Sequence, residues 1–128
     1  MQKTFLVIGS SLAGIAVILG AFGAHALKEK LAADQLQVFE TGVRYQVYHA
    51  FAILLVGLLY EKFNSPLLNY SGYFFVLGIL FFSGSLYLLS SRNLLGIENW
   101  KFLGPITPLG GLCLIMAWLF LVLGILKK

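Results

Sequence analysis

The sequence predicts an all-α integral membrane protein, a four-helix transmembrane bundle with an amphipathic interfacial helix before the second span. Composition is the first reason. Of 128 residues, 59% are hydrophobic and 11% charged, whereas about a quarter are charged in soluble domains. Segregation is the second: residues 4–27, 45–60, 63–91 and 102–126 contain no Asp, Glu, Lys or Arg. A helix crosses a hydrocarbon core of about 30 Å with about 20 apolar residues. Three of the runs exceed that length, and the second reaches it once Arg44 and Glu61 snorkel to the interfaces. The third reason is periodicity. Lipid forces every backbone polar group into internal hydrogen bonds, and the period-two alternation of barrel strands is missing. The expected spans are residues 4–27, 43–61, 66–91 and 104–126, forming one domain.

In the first span, Gly9, Ala13, Ala16, Gly20 and Ala24 fall within about 80° of one another at 100° per residue. Small-residue stripes of this kind let helices in lipid approach closely and gain van der Waals contact. Phe5, Val7, Leu12 and Leu19 suit lipid or core. The Ala24-His-Ala26 tripeptide imitates a signal-peptide cleavage site, but the apolar run before it is longer than the usual h-region, so a spanning helix is expected.

A short charged connection follows. From Leu31 the spacing of Leu31, Gln35, Val38, Phe39, Gly42 and Val43 predicts an amphipathic helix, capped by Asp34, that turns or continues into the second span. Phe63-Asn-Ser-Pro66 is a turn, with Asn64 or Ser65 capping and Pro66 in the first helical turn. The third span carries Ser83, Gly84 and Ser85 within one turn, a second close-approach site. Trp100 and Lys101 suit an interfacial belt before the fourth span, where Pro105, Pro108 and Gly110-Gly111 permit an irregular start. The net charge of +4 fits lysines such as Lys3, Lys127 and Lys128 facing anionic headgroups, so membrane lipids rather than nucleic acid are the expected partner. Cys113, the only cysteine, reads as a small core residue.

The densest polar chemistry joins His25, Glu40, Arg44, Tyr45, Tyr48 and His49. His25 closes the first span and His49 is expected about one turn into the second, at the same membrane face. Ionisable groups at membrane depth mark function, so a proton relay or a metal or haem pair is conceivable. The commoner use of such histidines is to lock a helical hairpin through hydrogen bonds. Glu40 and Arg44 are in the favourable order for an ion pair four residues apart. Facing His25, this cluster could form a pocket for a lipid headgroup, an anion or a small amphiphile, with Arg44 as its anion-binding fork. No third metal ligand has suitable spacing, and no nucleophile–base set or phosphate loop is present. The expectation is no enzyme activity, no metal and no cofactor.

Four blocks occur in order: Gly20-Ala-Phe-Gly-Ala-His-Ala-Leu-Lys28, Thr41-Gly-Val-Arg-Tyr-Gln-Val-Tyr-His-Ala50, Phe82-Ser-Gly-Ser-Leu-Tyr87 and Gly104-Pro-Ile-Thr-Pro-Leu-Gly-Gly111. Together they closely resemble the YgdD/YwdK-like small membrane proteins, domain-of-unknown-function family 423, relatives of the animal transmembrane protein 256. The departures are Gly42, where alanine is common, and Val47, where methionine is. The resemblance implies a four-helix protein of the bacterial inner membrane and supplies no activity. The functional expectation is a non-enzymatic oligomer, or an accessory or scaffold subunit of a larger membrane complex. The alternative is a small homo-oligomeric transporter or channel, or a lipid- or small-molecule-binding protein, using the cluster of His25, Glu40, Arg44 and His49.

Overall fold

In the computed structural model, which describes residues 2–127, four helices are long and apolar enough to cross a membrane. Helix α1 is Gln2–His25 and is followed by a single tight turn, Leu27–Glu29. Helix α2 is Ala33–Phe63, α3 is Pro66–Ser90, the short α4 is Arg92–Leu95, and α5 is Leu103–Leu126. No strand occurs among the described residues.

Helix α2 explains the polar prelude to the second span. The amphipathic segment is its first turns, and the helix continues without a break for 31 residues. Ala32 rather than Asp34 takes the cap position, its N–H donating to Oε1 of Gln35 at 3.4 Å, while Asp34 lies in the first turn beside the positive end of the helix. The following turn is divided between two residues. Asn64 closes α2 in the left-handed conformation (φ 43°), and Ser65 caps α3 by accepting from the Leu67 N–H at 3.2 Å, with Pro66 at the first position.

Close packing comes from small residues. In α1 the buried ones are Gly9, Ala16 and Gly23, spaced by seven; Ala13 and Gly20 are half-buried beside them, and Ala24 is exposed. The seam thus drifts from the expected stripe onto Gly23, which lies under the ring of Phe39. A seven-residue repeat is what a helix pair wound around each other keeps in register. Gly84 is likewise not a contact: a Cβ there would meet nothing within 4 Å. Ser83 and Ser85 beside it are buried, and the glycine that admits the neighbouring helix is Gly110, whose α-carbon faces the backbone of Phe81 and Phe82.

That contact falls on an irregular stretch. Within α3, residues Ile79–Ser83 form one wide turn with five-residue hydrogen bonds. The prolines expected to disturb the start of the fourth span leave α5 helical from Leu103, with Pro108 inside it. The bundle is held by one main core, in which Phe5, Ile53, Val56, Leu68, Phe75 and Ala117 are fully buried. A second, smaller cluster of Leu27, Leu31 and Phe39 lies at the His25 end.

Candidate functional site

Several of the polar groups inside the bundle meet on α2. Gln46, 3% exposed, donates from Nε2 to the Leu12 carbonyl of α1 at 2.8 Å and accepts from the Tyr87 hydroxyl of α3 at 2.5 Å. One amide therefore joins three helices. Four residues before it, the Gly42 carbonyl accepts from Ser83 Oγ at 2.7 Å, and Gly42 leaves room for the Tyr87 ring. In lipid such bonds contribute about 0.6 kcal/mol each on average. Leaving their partners unpaired would cost more, about 1–3 kcal/mol per group.

One turn further along, His49 (7% exposed) is also fully bonded. Trp118 of α5 donates from Nε1 to its Nε2 at 3.2 Å, so Nε2 carries no proton. Nδ1 therefore donates to the Tyr45 carbonyl at 2.8 Å. This pattern makes the ring neutral and ties α2 to α5. The imidazole also packs against Phe75, with ring centroids 5.7 Å apart. A shallow recess of about 330 Å³ lies outside it, bounded by Tyr45, Phe82 and Trp118. On the next pair of helices, Ser71 donates to the Ala117 carbonyl at 2.7 Å, and the Ser85 and Thr107 hydroxyls share a hydrogen bond at 2.6 Å.

The six residues singled out from the sequence are not one cluster. Gln46 faces Leu12 and Gly9 faces Ala50, so His49 is level with residues 9–12 of α1. His25 ends that helix, roughly 20 Å away at 1.5 Å per residue. The two histidines cannot meet, and a metal or haem pair between them is ruled out by position. The cause is the early start of α2 at Ala33, which carries His49 more than four turns into the helix. Among the described residues no three His, Cys, Asp or Glu side chains gather.

Glu40, Arg44 and Tyr48 are exposed on the outer side of α2, and Tyr45 lies exposed beside them. The expected Glu40–Arg44 ion pair is not formed; Arg44 instead turns back to Thr41, donating from Nη2 to its hydroxyl at 3.3 Å. The depth of this stripe matters. Val43 packs beside Gly20, five residues inside the end of α1, so Arg44 lies roughly 8 Å below that helix end.

The family model described as "Protein of unknown function (DUF423)" matches residues 19–111, which hold Gln46, His49, Ser83 and Tyr87. The chain belongs to this family. Among DUF423 relatives, a UPF0382 membrane protein of Staphylococcus saprophyticus is 41% identical over 126 residues, covering 98% of this chain and 99% of the relative. The UPF0382 membrane protein YwdK of Bacillus subtilis is 40% identical over 127 residues, covering 98% of each. No solved structure gives a significant match. With relatives named as membrane proteins and four spanning-length apolar helices, this DUF423 chain is an integral membrane protein.

Reading charges alone overlooked Gln46, Tyr87 and Trp118 as the residues that close the core. Gln46 had a visible signal, an amide within the charge-free run of residues 45–60, where lipid makes an unpaired amide costly. Trp118 gave none, since a tryptophan in an apolar span is equally at home facing lipid.

Proposed function

We propose that this DUF423 protein is a non-enzymatic membrane subunit that assembles through the outer face of α2, with copies of itself or within a larger complex, in the bacterial plasma membrane. The observation that supports this is the exposed stripe of Glu40, Arg44 and Tyr48. Two charges outside any ion pair lie on a helix face turned away from the core, and Arg44, roughly 8 Å inside the end of α1, reaches lipid headgroups only by snorkelling. A second protein surface there would supply counter-charges and hydrogen bonds. The inner polar groups support the same reading, because Gln46 and His49 spend their hydrogen-bonding capacity joining helices of this chain. They are scaffold, with their polar atoms committed.

Native mass spectrometry of the protein, extracted in a mild detergent from its own membrane, tests this reading. An oligomer or a complex with a larger protein is expected, and Arg44→Leu should reduce it. A lone chain under conditions that preserve other membrane assemblies would contradict it. The same stripe motivates a second reading, a homo-oligomeric transporter in which α2 faces line a shared path. Ion or solute flux in liposomes that is lost in Arg44→Leu would favour that reading over a scaffold.

A further inference from the structure

Helices α1 and α3 both pack on α2, but the gap between them is filled at only one end. At the Gln2 end, Phe5 is fully buried over Gly72, where any Cβ would strike its ring, and it meets Tyr73 edge-on at 5.3 Å. No side chain plays this part at the other end. There the helices leave a groove of about 500 Å³, inside the ~300–1,000 Å³ range of small-molecule sites. Leu19 and Phe22 of α1 form one wall, Leu88 and Leu94 the other, and the rings of Phe39 and Tyr87 the floor.

The groove is apolar for a specific reason. The Tyr87 hydroxyl points away to Gln46, so its ring is what the groove presents, tilted against Phe39 at 5.1 Å. Water inside would find few of the two to four polar partners it needs. Among the described residues, the only charged side chain lining the groove is Lys30, which follows the tight turn after α1 and therefore lies at headgroup depth. An apolar slot with a single cation at its mouth has the polarity of an anionic amphiphile.

We propose that this groove holds one acyl chain of an anionic phospholipid, with Lys30 meeting the phosphate. The chain lies along Phe39 and Tyr87, and the headgroup stays at the membrane surface. This site is separate from the assembly face: Phe39 and Arg44 point about 140° apart around α2 at 100° per residue. Lipid occupancy is read per chain whatever the oligomeric state, so the two readings fail independently.

The test is native mass spectrometry of the purified protein offered equal amounts of phosphatidylglycerol and phosphatidylcholine with matched chains, then oleate as a competitor. Phosphatidylglycerol is expected to be retained about fivefold over phosphatidylcholine, the ratio one lysine provides near a membrane surface. Lys30→Gln, an exposed substitution that leaves the core untouched, should abolish that preference. Ala26→Trp, at the edge of the groove, should remove bound lipid of both kinds, whereas Val17→Trp, on the outer side of α1, should not. Equal retention of the two lipids by the wild-type protein, or unchanged retention in Ala26→Trp, would overturn the proposal. Oleate displacing phosphatidylglycerol at equal concentration would overturn it in favour of a free fatty acid.

Discussion

Gln46 is the side chain with the most partners at stake. Its amide accepts from Tyr87 and donates to Leu12, so Gln46→Ala leaves a hydroxyl and a carbonyl on two other helices without it. A loss of about 1–3 kcal/mol is expected, read by unfolding in detergent. Tyr87→Phe keeps the ring against Phe39 but leaves the buried Gln46 Oε1 without its donor, so it should cost about 1 kcal/mol, the low end of that range. Equal effects would mean that the Tyr87–Gln46 bond, lost in both variants, carries the whole change and the Leu12 bond adds nothing. His49→Ala removes a packed ring and strands the Trp118 N–H. It should lower thermal stability clearly, while His49→Gln, which retains an acceptor, should lower it less. A His49→Ala protein as stable as wild type but altered in ligand binding would contradict the structural role.

Among the elements, α3 and α5 make the tightest contact, and glycines decide it. Gly110 faces backbone atoms of Phe81 and Phe82, which no rotamer change can move aside. Gly110→Ala should therefore destabilise by about 1–3 kcal/mol, the usual cost of overpacking. Gly84 has open space around it, so Gly84→Ala should be neutral or stabilising, since alanine favours the helix by up to ~1 kcal/mol. Melting temperatures of the pair in one detergent would check both. The sequence itself could not separate these glycines, because each lies in a small-residue stretch of an apolar run. Whether a glycine is a contact depends on the facing helix, and for Gly110 that helix carries a wide turn at Ile79–Ser83 that no residue pattern announced. Helix existence was another matter. Charge-free runs mark spans because lipid tolerates little else, and the ends of α3 and α5 fall within a residue of those expected. The helix over residues 33–42 was expected, but its polarity left open whether it turned or continued into the second span, and counting His49 from a span start at residue 43 moved it toward His25.

At the scale of the molecule, the chain divides its polar groups by direction. Gln46, His49, Ser71 and Ser83 face inward and join helices, whereas Glu40 and Arg44 face outward on α2 and form no ion pair. The inward set was partly legible as motif blocks, since the stretches around Gln46 and Ser83-Tyr87 meet in space. The outward direction of Glu40 and Arg44 was not, since a helical stripe has no sign until its neighbours are placed. The assembly claim rests on that direction and is best tested in the native membrane. A photo-crosslinking residue at Tyr48, 55% exposed on the stripe, is compared with one at Val17, 71% exposed on α1. The account predicts protein adducts from position 48, reduced by Arg44→Leu, and none from position 17. Adducts to lipid alone at both positions would contradict it.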